Sequence, residues 1–169
     1  MRRLLLTLGC LLLATPAAAA PAAPVFNVTM LDGSGHFESR SHIGKDVLVV
    51  RFQASWCKVC NEEAVGFERL YQKYRTRGVQ FVSIQVQDTE TDARGFLKAN
   101  KATYPAGLDP QLKIANRFGF PGTPYTVIIN RRGEIVARIA GRSDEARLSR
   151  LLDPLIKPPP VRKAPARLQ

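Results

Sequence analysis

The chain has 169 residues, 45% of them hydrophobic and 23% charged, which suits one soluble globular domain and leaves little for a second. Its net charge of +11 is not accompanied by any aromatic-basic motif of the kind that reads RNA or DNA. Nucleic acid is therefore not expected as a partner.

In chain order, the first segment stands apart. Arg2 and Arg3 precede the apolar run Leu4 to Leu13, and "ATPAAAAPAAP" then supplies small residues, the pattern of a secretory signal peptide over residues 1–19. Ala17 and Ala19 occupy the A-x-A positions, so cleavage is expected after Ala19. The run falls short of the roughly 20 apolar residues that span a bilayer, which disfavours an uncleaved anchor. Cleavage would remove Cys10 and leave Cys57 and Cys60 as the only cysteines of an exported, periplasmic chain. Without Arg2 and Arg3, twenty-three basic residues face fourteen acidic ones, a net charge of +9.

Residues 24–44 alternate weakly around the turn "DGSG" and predict a hairpin. "DVLVVRF" (46–52) is an apolar run broken only by Arg51, as in a strand covered on both faces. Ala64, Phe67, Leu70, Tyr71 and Tyr74 recur at helical spacing, with Gly78 closing that helix. "VQFVSIQV" (79–86) is the next strand, and Thr91 or Asp92 is placed to cap a helix reaching about Asn100. A second short helix is expected over Gln111 to Phe118. "YTVII" and "EIVARIA" are strands joined by "NRRG", and Ser143 should cap a last helix with Leu148, Leu151, Leu152 and Leu155 on its inner face. The final "KPPPVRKAPARLQ" (157–169) is proline-rich and basic, composition that does not pack into a core. Weak contact with a membrane surface is one use open to that tail, whose partner the sequence does not name. Together the elements predict an α/β sandwich with a mixed central sheet.

The stretch "SWCKVCNEE" (55–63) carries the chemistry. A strand that runs into W-C-x-x-C and then a helix places Cys57 at the helix N-terminus, where unpaired amides and the macrodipole favour a thiolate. Lys58 adds positive charge in the same sense. Cys60, one turn on, should be shielded, and this asymmetry suits thiol–disulfide exchange. A structural zinc site needs four ligands, and besides the pair only His36 and His42 remain, both upstream. A purely structural disulfide closing so short a loop would stabilise little. A copper chaperone is the rival from another class, but no histidine follows the cysteines and Met30 is the one thioether left. "FQASWC" also lacks the Thr/Ser and Pro arrangement of a peroxidatic cysteine. Glu62 and Glu63 read as surface residues of the first helical turns, and Asp32 and Asp109 as turn formers.

"RFQASWCKVC" followed some sixty residues later by "GTPYTVII" resembles the thioredoxin superfamily, and more narrowly its exported TlpA/ResA-like thiol-disulfide oxidoreductases. The leader, the N-terminal extension and the helical insert before "GTP" fit that branch. The resemblance spans about residues 24–156 and implies a thioredoxin-like three-layer sandwich. It implies Cys57 as the attacking thiol, Cys60 as the resolving thiol, and Pro124 as a cis-proline after Thr123. Thr123 and Pro124 would shape the client groove together with Trp56. The cysteine pair is itself the redox centre, so no cofactor is needed. The implied partners are protein thiols and disulfides, with a membrane electron donor if the protein is a reductant. Clients in cytochrome c maturation or at metal-site cysteines are the leading expectation, a disulfide-forming oxidant or isomerase the alternative. A monomer is expected.

Three departures bear on the site. Val59 stands where many relatives have proline, which leaves the redox direction open. Arg51 stands where thioredoxin has a buried acid, and Asp88 where exported relatives keep an acidic residue. A buried arginine needs an anion, so one expectation is that Arg51 and Asp88 meet beneath the disulfide and together tune Cys60. The other is that Arg51 reaches an edge and Asp88 is a solvated loop acid.

Overall fold

The computed structural model describes residues 20–156, so the signal peptide expected at 1–19, Cys10 and the tail at 157–169 lie outside the described residues. The "DGSG" turn joins β1 (Asn27–Thr29) to β2 (His36–Glu38) as an antiparallel pair. Asp32 makes the turn by accepting from the amide and hydroxyl of Ser34. β3 (Val47–Gln53) enters α1 (Lys58–Tyr74), and β4 (Val79–Val86) follows. α2 (Glu90–Ala99) and β5 (Ala106–Asp109) form the insert before β6 (Tyr125–Ile129), β7 (Ile135–Ala140) and α3 (Glu145–Ile156). The five-stranded sheet has the order β5-β4-β3-β6-β7. β3, β4 and β5 are parallel to one another, while β6 is antiparallel to both β3 and β7.

Alternation along β3 sorts the core into two sides. Val47 and Val49 point to the face where Phe67, Leu70 and Tyr74 of α1 meet Leu148 and Leu152 of α3. Leu48, Val50 and Phe52 point to the other face, covered by Phe26 and Val28 of the N-terminal segment and by Phe118. Each such fully buried large side chain contributes about 1.5–3 kcal/mol. These layers give the thioredoxin-like α/β architecture with its mixed central sheet.

Four details depart from the expected elements. β5 is an extra edge strand in "AGLD", which has no β-branched residue to signal it and is held instead by β4 and by a bridge between Met30 and Gly107. A Cβ on Gly107 would lie 2.3 Å from Val28 Cγ2, so only glycine lets the N-terminal segment approach so closely. α2 is capped by Thr89 rather than Thr91 or Asp92: its hydroxyl accepts from the Asp92 amide and donates to the Asp92 carboxylate. The helix expected over Gln111–Phe118 shrinks to a 3-10 turn at Ala115–Phe118, because Leu112 takes a left-handed φ of 59°. Buried Asp109 claims the amides of Lys113, Ile114 and Ala115, so it is a local anchor and more than a turn former. α3 is capped by Asp144, which accepts from the Arg147 amide, while Ser143 turns inward.

Candidate active site

β3 delivers the chain to Ala54, and "SWC" turns it into α1. Cys57 is the N-cap, with its Sγ accepting from the Cys60 amide at 3.1 Å. The two cysteines are joined as a disulfide with a Cα–Cα separation of 5.2 Å. Cys57 keeps 6% of its surface accessible and Cys60 none, the asymmetry expected from the sequence.

The loop is held from several sides. Asp88 is buried and accepts from both the amide and the hydroxyl of Ser55, at 2.8 and 2.6 Å. Asn61 donates from its side chain to the carbonyls of Ser55 and Cys57. Trp56 is 60% exposed beside the disulfide, with its indole N–H directed at the Gln87 carbonyl at 3.4 Å. Gln87 has a φ of 52°, which turns the chain between β4 and Asp88. Thr123–Pro124 is a cis peptide, and Tyr125, the next residue, packs in the same cluster as Cys57 and Cys60. Lys58 is exposed on the first turn of α1, where its charge adds to the hydrogen bond and charge of Arg142, the main cause, in holding the Glu62 carboxyl below the ordinary range.

Arg51 does not meet Asp88, and it does not reach solvent. It is fully buried and its charge is taken by Glu63 on α1, with Nη2 to Oε2 at 2.9 Å. Its Nε donates to Gln53 Oε1, its Nη1 to Ser143 and Thr126, and its guanidinium lies 4.9 Å over the Phe67 ring. Glu63, its side chain only 8% exposed, also accepts from the Ser143 amide at 2.7 Å. The reason is geometric: Arg51 points to the α1 face, where Glu63 arrives one turn after Cys60, whereas Asp88 is consumed by Ser55. Both expectations for Arg51, and the reading of Asp88 as a solvated loop acid, are corrected by these contacts. Glu63 is corrected from a surface residue to the partner of a buried charge. Glu62 remains at the surface, paired with Arg142.

The sheet extends this polar layer. Arg51 stands opposite Ser83 on β4 and Thr126 on β6, and Gln53 opposite Gln85. Gln53 donates to the Tyr104 hydroxyl, whose pKa is raised by burial. A band of buried polar side chains therefore runs beneath the first turns of α1. Of these residues the sequence reading misplaced Glu63 at the surface and did not single out Gln53, Ser83 or Gln85. The alternation Arg51/Gln53 in β3 and Ser83/Gln85 in β4 was the signal available, since two adjacent strands place such residues on one face.

The profile of the AhpC/TSA family matches residues 20–138. The chain belongs to that family. Among its relatives, a thiol-disulfide oxidoreductase ResA of Bacillus cereus is 30% identical over 126 residues, 75% of this chain and 72% of the relative. A thiol:disulfide interchange protein of the thioredoxin family from Chlorobium tepidum superposes with a TM-score of 0.75 at 24% identity, over 83% of this chain and 99% of that one. A secreted Mycobacterium tuberculosis disulfide oxidoreductase, homologous to Escherichia coli DsbE, has a TM-score of 0.69 at 23% identity, over 77% and 96%. The protein is thus a redoxin of thioredoxin-like fold and a ResA-like thiol-disulfide oxidoreductase with Cys57 and Cys60 as its C-x-x-C pair.

Proposed function

We propose that this oxidoreductase is exported to the periplasm and works there as a reductant of specific client proteins. The observation that supports thiol–disulfide exchange is the Cys57 Sγ at the N-cap of α1, held against the Cys60 amide, while the reducing direction rests on the resemblance to the TlpA/ResA branch. A donor N–H and the positive end of a 17-residue helix both stabilise a thiolate at that atom. In the reduced protein the Cys57 thiolate attacks one sulfur of a client disulfide, and one client thiolate leaves. The shielded Cys60 gives up its proton and attacks Cys57 Sγ, which releases the second client thiolate. Two electrons pass to the client, and the Cys57–Cys60 disulfide remains.

Exposed Trp56, with Thr123 and Pro124, forms the surface on which the client segment lies. Lys58 adds charge beside the attacking sulfur, while Asp88 and Arg51 act indirectly, through the loop and through Glu63. Haem-attachment cysteines of an apocytochrome c and metal-site cysteines of a respiratory oxidase are the clients proposed. Turnover in an oxidising compartment then requires a membrane donor that returns two electrons to the pair.

The reduction potential of the pair, obtained by equilibrating the protein in graded thiol buffers, tests this direction. A value near about −270 mV is expected for a reductant. A value near about −120 mV, that of a strong disulfide-forming oxidant, would overturn it.

A further inference from the structure

The cations of the folded chain are not evenly spread. α1 runs 17 residues away from Cys57, about 25 Å, and ends at a pole where basic groups gather. Lys45, Lys73, Arg75 and Arg77 are exposed there, and Arg131 is half-buried. Their proximity is fixed by contacts. Arg131 donates to the carbonyls of Lys45 and Leu155, and its Nη2 lies 3.2 Å from where a Cβ on Gly78 would stand. Lys73 and Arg77 both lie over the Tyr74 ring, at 4.9 and 5.2 Å.

Among the described residues none of these five cations has a carboxylate within 4.0 Å; cations elsewhere such as Lys58, Lys98, Lys113 and Arg138 share that trait, and what sets the five apart is that they gather at one end of the fold. The acids at this pole are otherwise engaged: Asp46 with His42, Asp153 with the Tyr74 hydroxyl. Beside Lys45 and Arg131 stands an exposed isoleucine. Ile43 is 45% accessible, packs on Gly133 of the β6–β7 hairpin, and is followed by Gly44, whose amide donates to the Arg131 carbonyl. α3 also ends here, and the chain continues from Ile156 with Lys157, Arg162, Lys163 and Arg167.

We propose that this pole is a docking surface for anionic phospholipid headgroups, with Ile43 entering the interface and the disulfide pole facing away from it. Unpaired cations at the same end as an exposed apolar side chain suit a fluid anionic surface, which asks for charge density and a shallow apolar anchor. Held this way, the protein keeps Trp56 and the cysteines about one helix length from the bilayer, free for clients.

The test is sedimentation of the chain from Ala20 onward, which contains the whole fold, with vesicles of phosphatidylcholine alone or mixed with phosphatidylglycerol. Binding is expected only to the anionic vesicles and should fall with added salt. Lys45→Gln/Arg75→Gln/Arg77→Gln should weaken it on the order of a hundredfold, at about fivefold per charge. Removing equal charge elsewhere, as Arg94→Gln/Lys98→Gln/Arg138→Gln, should change it little, and Ile43→Ser should weaken it less than the pole triple. A chain ending at Ile156 should still bind. Equal loss in the two triples would reduce the effect to net charge and overturn the proposal. So would loss on truncation with the pole triple unaffected, which assigns binding to the tail. Absence of binding to either vesicle overturns it. Disulfide reduction in solution, assayed for every variant, reports the fold and the redox chemistry separately from binding.

Discussion

α1 rests on two different floors. Its later turns set Phe67, Leu70 and Tyr74 on Val47, Val49 and Phe81, an apolar layer with edge-to-face ring contacts. Its first turns set Glu63 on Arg51, with Gln53, Thr126 and Ser143 around the guanidinium. The same helix and the same strand carry both. The apolar floor stabilises by burial and tolerates loss of one residue in proportion to the cavity left. The polar floor stabilises only while every partner is present, because a charge left alone in the interior costs more than the pair gained. The costly floor lies beneath the turn of α1 that follows Cys60, and the cheap one beneath its later turns. One half of the helix is held by apolar burial and the other by a buried ion pair.

The largest effects should come from breaking each floor in turn. Phe67→Ala is expected to cost about 3–5 kcal/mol through its cavity. Arg51→Leu should cost a similar amount, about 3–5 kcal/mol, by leaving Glu63 buried without its cation. The floors then separate in the double variants. Arg51→Leu with Glu63→Gln should recover most of the single loss, whereas Phe67→Ala with Leu70→Ala should compound it. Chemical denaturation of the four proteins measures this, and failure of the charge pair to recover would mean that Arg51 acts chiefly by packing on Phe67.

Gly107→Ala should come next, at about 1–3 kcal/mol, because its Cβ meets Val28 and the backbone of Thr29 and so displaces the N-terminal segment from β5. Limited proteolysis near residues 24–38 should accelerate in this variant while the sheet remains intact. Asp88→Asn should cost less, about 1–2 kcal/mol, since an amide still accepts one of the two Ser55 bonds. Its more specific consequence is a looser "SWC" loop, visible as a change in the rate at which the reduced protein is alkylated at Cys57. Unchanged alkylation would show that Asn61 alone suffices to hold the loop.

The order of elements was legible in the sequence because strand and helix periods are local. Period-two alternation and the helical spacing of Phe67, Leu70 and Tyr74 are readable from neighbours in the chain. The cysteine pair was legible for the same reason. The polar floor was not, because Arg51 finds its anion through a helix crossing a strand: Glu63 is twelve residues away and Ser143 ninety-two. Among acids near the cysteines, Asp88 was as plausible a partner until Ser55 was seen to occupy it. β5 escaped because its strand character comes from β4 and Met30 rather than from its own side chains. Ser143 shows the same rule in a cap: by local preference it belongs to α3, and a buried arginine draws it away.

The smallest effect concerns a polar contact that is neither on the buried floor nor free in water. Glu68, on the middle of α1, accepts from the amide and the hydroxyl of Thr103 and from Gln72, tying the helix to the loop before β5. Burial alone would raise its pKa, but the bonds from Thr103 and Gln72 together outweigh burial and leave it below the ordinary value of 4.5. A carboxylate whose folded pKa is depressed adds stability that is complete above its unfolded pKa and is lost as the pH falls through the folded one. Glu68→Gln should therefore lower the denaturation midpoint at neutral pH, and the gap from the parent protein should narrow steadily as the pH falls below the ordinary value of 4.5. The gap between Phe67→Ala and the parent should not close, because a cavity does not titrate. If the Glu68 gap persists in acid, the contact stabilises by shape and hydrogen bonding alone, and the carboxylate charge contributes nothing.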